Sequence, residues 1–180
     1  MRAAILSIGS ELTSGQTVNT NAAYLARRLL NLGLPCARQI VVPDDPQAIG
    51  RALRNALTDS DLVVITGGLG PTFDDVTIAS VAATLNRTLV FAPQAAARVR
   101  TFYRQHHRRL NRLALRQAYL PQGAQALPNP VGTAPGVWLG LDGKIVIALP
   151  GVPREMQAIL EQSVLPRLQR LPGRACIVAR

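Results

Sequence analysis

Four of the ten acidic residues in this 180-residue chain, Glu11, Asp74, Asp75 and Glu155, fall in or directly after loops rich in Gly, Pro, Ser and Thr. Those loops span 9–15, 66–75 and 150–155; a fourth, 129–136, has the same character without an acid. Glycines let backbone N–H groups approach an anion, so Gly67, Gly68 and Gly70 read as a phosphate cradle, and the start of the next helix adds its dipole. Carboxylates gathered beside a cradle are costly unless a cation joins them, and a divalent metal on a phosphorylated ligand is the natural one. Oxygen-ligated Mg²⁺ uses one or two carboxylates and completes its shell with phosphates and waters. The competing readings are structural. Asp74 or Asp75 would cap a helix beginning near Val76, and Glu155 would be a first-turn dipole partner. One aspartate suffices for a cap and two adjacent ones repel, so the pair is assigned to function, while Glu155 stays open between both roles.

Other chemistries find less support. Gly68-Leu69-Gly70 is not a dinucleotide fingerprint, because the third glycine would fall at Phe73. The one Gly-Lys pair, Gly143-Lys144, is followed by Ile145, which excludes a Walker A loop, and the surroundings of Ser10 do not fit a hydrolase elbow. His106 and His107 are neighbours on a helical pattern and so point apart. A partly buried His106 and an exposed His107 are expected. Cys36 and Cys176 stand 140 positions apart with no Cys-x-x-Cys grouping, which argues for a reducing cytoplasm and against structural zinc.

The elements that must position these loops follow from hydropathy period. Continuous apolar runs at Ala3–Ile8, Ala37–Val42 and Leu62–Ile65 read as strands. Helical spacing follows each: Ala22, Leu25, Ala26, Leu29 and Leu32 up to Gly33; Ile49 to Leu57 after the Asp45-Pro46 start; and Ile78, Val81, Ala82 and Leu85. Three β-then-α units predict a doubly wound α/β fold in three layers with a mostly parallel sheet, whose ligands bind beyond the strands' carboxyl ends. Asp142-Gly143 between two apolar runs predicts a β-hairpin. Pro93 to Tyr119 predicts one long helix with Arg98, Arg100, Arg104, Arg108, Arg109, Arg112 and Arg116 on its outer face. A last helix starts near Pro153 and is interrupted at Pro166.

The formal charge is +10, and nineteen of the twenty basic residues are Arg. An excess of this kind can mark a nucleic-acid surface, but aromatic interleaving on the Arg helix is weak and a solvated coat is the preferred reading. With 48 % hydrophobic residues the chain can bury a core. No apolar run approaches the eighteen or so residues of a spanning helix, so no membrane partner is expected.

Taken together the loops resemble the CinA family, also called competence/damage-inducible protein A. The resemblance is carried by Gly9-Ser10-Glu11-Leu12, 15–21, Thr66-Gly67-Gly68-Leu69-Gly70-Pro71-Thr72, Asp74-Asp75-Val76-Thr77, 127–136 and Leu149-Pro150-Gly151-Val152-Pro153-Arg154-Glu155-Met156. It covers residues 1 to about 171, in order. It implies a fold like the MogA/MoaB molybdopterin-binding domain over 1–171, with 172–180 the start of a further segment in which Ala175–Arg180 begins a strand. It also implies a metal-dependent nucleotide pyrophosphatase acting on a substrate such as ADP-ribose, with Mg²⁺, Mn²⁺ or Co²⁺, aided by potassium. On that reading Asp74, Asp75 and Glu11 hold the metal or orient water. Ser10, Gly67, Gly68, Gly70, Thr72, Gly132, Thr133 and Gly151 contact the phosphates or nucleotide. The partner is a small nucleotide-type molecule, the chain forms a homo-oligomer, and it is cytoplasmic. Longer members carry an amidase domain acting on nicotinamide mononucleotide, an activity not expected of these 180 residues. Ala114 departs from the pattern where many members have Asn. Two alternatives remain: a pterin-binding or adenylyl-transferring module of molybdenum cofactor assembly, and an Arg-rich nucleic-acid-binding module.

Overall fold

Strand β1 (Ala3–Ile8) has all six side chains buried and pairs in parallel with β2 (Cys36–Val42) on one edge and β3 (Leu62–Thr66) on the other. In the computed structural model, which describes residues 1–171, this strand separates two cores. Successive strand side chains point to opposite faces. Ala4, Leu6 and Ile8 meet Ile49 and Leu53 of α3 (Pro46–Asp59) and Val81 of α4 (Thr77–Thr84). Ala3 and Ile5 meet Leu25 and Leu29 of α2 (Thr20–Leu30), which follows the one-turn α1 (Ser10–Thr13), and Ile159 of α6 (Pro153–Ile159). Each fully buried Leu or Ile adds roughly 1.5–3 kcal/mol of burial, so both faces of the sheet must be covered.

With β6 (Gln125–Leu127), β7 (Gly136–Leu141) and β8 (Lys144–Leu149), the main sheet has the order β2-β1-β3-β8-β7-β6. Strand β8 joins β3 in parallel, and the expected hairpin brings β7 back antiparallel to it. Strand β6, which periodicity does not reveal in three residues, extends that edge. Together with the helices on both faces this is the predicted α/β architecture with a mostly parallel sheet. Helix starts also follow the sequence: Asn19 accepts from the Ala22 amide at 3.1 Å, and Asp45 from the Ala48 amide at 2.6 Å with Pro46 as first residue.

The predicted helix from Pro93 to Tyr119 does not exist as one piece. Helix α5 (Pro93–Gln105) ends early, a 3₁₀ helix covers Leu113–Ala118, and β5 (Tyr119–Pro121) pairs antiparallel with β4 (Leu89–Phe91) in a separate two-stranded sheet. The stop is a Schellman closure. His107 takes φ 51°, its amide donates to Arg104 O at 3.2 Å, and the Arg108 amide donates to Tyr103 O at 2.9 Å. A continuous helix would also stack Arg100, Arg104, Arg108, Arg112 and Arg116 at successive four-residue steps, each pair repelling. His106 is exposed, contrary to expectation, with its ring stacked on Phe102 at a centroid distance of 4.0 Å.

The last helix is interrupted one turn before Pro166: α6 passes into a π turn, Leu160–Val164, and then α7 (Leu165–Gln169). Pro166 has no N–H to offer the preceding turn, and its ring crowds the carbonyl four residues back. On that turn Glu161 accepts from Tyr24 Oη at 2.8 Å, Arg28 Nε at 2.6 Å and Arg28 Nη2 at 2.5 Å. The expected segment 172–180, with its strand at Ala175–Arg180, lies outside the described residues. Among the described residues no helix is long and apolar enough to cross a membrane.

Candidate functional site

Beyond the carboxyl ends of β1, β3 and β8 the chain turns sharply at Gly67-Gly68. Gly67 has φ 112° and Gly68 φ 63°, conformations that L side chains rarely adopt, and a Cβ at Gly67 would run into the Ile8 carbonyl. The turn is pinned on several sides. Thr77 Oγ1 donates to Gly67 O at 2.8 Å, the Gly67 amide donates to Leu149 O at 3.1 Å, and Thr66 Oγ1 donates to Pro150 O at 3.0 Å. Asn21 Nδ2 donates both to Thr66 Oγ1 at 3.1 Å and to Gly151 O at 2.8 Å, tying the two glycine loops together.

The cradle is narrower than three glycine amides. The Gly67 amide is committed to Leu149, and the Gly70 amide donates to Asp75 Oδ1 at 2.8 Å. The amides of Gly68 and Leu69 between them have no partner among the described residues. Both residues line a cleft of about 390 Å³ together with Gly70, Asp75, Gln117, Thr133, Gly151 and Glu155. A second pocket of about 480 Å³, between α5 and the 129–135 loop, includes Gly132, Thr133 and Arg98. Of the expected contacts, Gly68, Gly70, Thr133 and Gly151 therefore share one cleft, and Gly132 lies in the pocket that adjoins it through Thr133.

The carboxylates do not converge. Asp75 lines the cleft, but it folds back on its own loop: besides Gly70 it accepts from the Thr72 amide at 2.9 Å and Thr72 Oγ1 at 2.5 Å. Neither aspartate caps α4, whose preceding residue Val76 makes no side-chain cap bond. Asp74 is exposed and has no hydrogen-bond or ion-pair partner among the described residues. Glu11 lines a different hollow of about 110 Å³, beyond Gly67, with Asn21 and Thr17. Glu155, in the first turn of α6, accepts from Asn129 Nδ2 at 2.7 Å and so clips the 129–135 loop to the cleft. Among the described residues no three His, Cys, Asp or Glu side chains gather as a metal cage. A protein-only metal centre at Glu11, Asp74 and Asp75 does not fit this arrangement.

Several participants escape sequence reasoning. Asp44, after β2, accepts from both the amide and the hydroxyl of Ser10, so Ser10 is held by a carboxylate rather than left open for a phosphate. Its other oxygen, Oδ1, is unpaired and lies 3.6 Å from where a Gly68 Cβ would be. The Asp44-Asp45 pair after a strand was the available signal, but Asp45 alone accounts for a helix cap. Gln117, on the 3₁₀ helix, lines the cleft, and Arg116 beside it donates to Thr72 O at 3.3 Å while lying over the Phe73 ring. Ala114, at the departure noted above, is fully buried, and its amide is capped by Asn111 Oδ1 at 2.7 Å.

Comparison with known proteins extends this picture. The family described as "Probable molybdopterin binding domain" matches residues 4–170. A protein of Caldivirga maquilingensis is 47 % identical over 97 % of this chain and 67 % of its own length. A CinA-like protein of Salinibacter ruber is 44 % identical over 96 % of this chain. The chain spans only 42 % of that relative's length. Among solved structures, the protein CinA from Thermoplasma acidophilum superposes with a TM-score of 0.83 at 42 % identity, covering 89 % of this chain and 94 % of the other. The molybdopterin biosynthesis enzyme MoaB from Thermus thermophilus gives 0.60 at 22 % identity, over 93 % of each chain, a likeness of fold.

Proposed function

The chain belongs to the molybdopterin-binding-domain family and, within it, to the CinA proteins, and from that premise we propose that its cleft hydrolyses the phosphoanhydride of a small nucleotide-type substrate such as ADP-ribose. The observation that carries the reading is the pair of open amides at Gly68 and Leu69, with the unpaired Asp44 Oδ1 near Gly68. Preorganised backbone donors aimed at developing charge on a pyrophosphate cost no reorganisation when the bond breaks. Thr133 and Gly151 line the same cleft and would hold the second phosphate. Water adds to one phosphorus, the bridging P–O bond breaks, and AMP and ribose 5-phosphate leave. Asp44 or the partner-free Asp74 would accept the proton of that water.

Asp44 or Asp74 would give a divalent ion its protein contact beside the substrate's phosphates, and such an ion would supply charge neutralisation and a lowered pKa for bound water. Purified protein is incubated with ADP-ribose and Mg²⁺, Mn²⁺ or Co²⁺, with and without potassium, and products are separated by chromatography. AMP formed only with a divalent ion supports the reading; no AMP above an enzyme-free blank overturns it. The likeness of fold to MoaB favours one rival, a pterin-binding or adenylyl-transferring module. Tight molybdopterin binding without ADP-ribose turnover would select it. The homo-oligomer remains part of the proposal, and light scattering tests it.

A further inference from the structure

Gln117 is 7 % exposed, and its Oε1 has no hydrogen-bond partner. Buried polar atoms are almost always paired, so an unpaired acceptor on a residue that lines a cleft needs an account. The residue lines two spaces at once: the main cleft with Gly68, Gly70 and Thr133, and a small hollow behind it toward Leu89 and Val137. Its backbone is held in place, because Arg116 is fastened to Thr72 O and the preceding Ala114 amide to Asn111. The side chain is neutral and adds no charge to the attraction of a phosphate, and its Oε1 can only accept a hydrogen bond.

We propose that Gln117 is a specificity-determining residue, whose Oε1 accepts a hydrogen bond from a sugar hydroxyl on the organic part of the phosphate ligand. This rests on the reading of the cleft as a site for a nucleotide-type phosphoanhydride. The distance to the phosphate site selects the donor. A sugar hydroxyl lies within a few bonds of its phosphate, as the place of Gln117 in the same cleft as Gly68 requires. Inorganic pyrophosphate offers the same P–O–P group without that donor, and the site would bind it without using the Gln117 Oε1.

The test compares the wild-type protein and Gln117→Met by calorimetric titration with ADP-ribose and with inorganic pyrophosphate, each protein also being melted without ligand. Met keeps the shape and removes the unpaired acceptor. ADP-ribose should weaken about tenfold, the effect of one lost hydrogen bond of ordinary strength, while pyrophosphate stays within about twofold and the Tm does not fall. Equal loss for both ligands, unchanged ADP-ribose affinity, or no ADP-ribose binding by the wild-type protein would each overturn the assignment. Turnover is read separately. Selective loss of ADP-ribose binding with no AMP formed would defeat the proposed hydrolysis and leave the role of Gln117 standing.

Discussion

Asp44 holds Ser10 twice, its Oδ2 accepting the Ser10 amide at 2.8 Å and the Ser10 hydroxyl at 3.0 Å. The bond joins the loop after β1 to the loop after β2 and leaves Oδ1 free beside Gly68. Asp44→Ala should lower stability by about 1–2 kcal/mol, since both bonds are charge-assisted but only partly shielded from water. Asp44→Asn keeps an acceptor oxygen and should retain most of that stability while losing at least tenfold in ADP-ribose turnover. Urea unfolding and turnover on the same preparations check both halves. Full turnover in Asp44→Asn would remove Asp44 from the chemistry.

Asp74 and Asp75, adjacent in sequence, should separate by experiment. Asp75 accepts three bonds from Gly70 and Thr72, so Asp75→Ala should cost about 2 kcal/mol and loosen the 70–75 loop. Asp74 is exposed and partner-free among the described residues, so Asp74→Ala should leave Tm unchanged and lower kcat if Asp74 contacts the ion or water. Thermal melts alone decide the stability half. Equal destabilisation by the two changes contradicts the assignment.

Gly67→Ala should be the most damaging single methyl in the loop. It combines an unfavourable φ of 112° with a clash against the Ile8 carbonyl, and together these should cost about 3 kcal/mol. Gly143→Ala serves as the control: φ is 73° there, but a Cβ meets nothing within 4 Å, so strain acts without collision. Denaturation midpoints should rank wild type, Gly143→Ala, Gly67→Ala in falling order.

Acid should weaken the clasp on the π turn. Hydrogen bonding from Arg28, and then from Tyr24, holds the Glu161 carboxyl below the ordinary 4.5, against the opposing effect of burial. A carboxyl depressed in the folded state contributes stability that is complete above its unfolded pKa and is lost as pH falls through the folded one. With both side chains about a third exposed, the contribution is at most about 1 kcal/mol. Glu161→Gln should therefore be less stable than wild type at pH 7, with the difference shrinking as pH drops below 4.5. A gap that stays constant down to the acid transition would contradict this origin.

The helix ends show which features were legible in the residues. Helix α2 closes with Gly33 at φ 69°, its amide bonded to Leu30 O and the Leu34 amide to Leu29 O, and a glycine in that position announces itself. Helix α5 closes by the same geometry with His107, a far weaker signal than glycine, so periodicity ran through it and predicted a helix to Tyr119. The three-residue strands β4, β5 and β6 are too short to show a period. At the site, the glycine loops were legible because their composition is unusual. Asp44 and Gln117 were not, because what distinguishes them is a partner or the lack of one, supplied by elements distant in sequence.

The pairing of Leu89 with Pro121 means that the chain leaves and re-enters the body at one place. Residues 92–118 thus form an appendage whose footing is set by β4 and β5, while every residue of its far end at 106–112 is exposed. Lengthening such an end costs little, since doubling a flexible loop adds only about 0.6 kcal/mol of closure entropy. The glycine cradle belongs to the main sheet, and Gln117 sits where the appendage returns to it. Insertions at 106–110 therefore leave untouched both the anion-holding parts and the Asn111 cap that steadies Gln117.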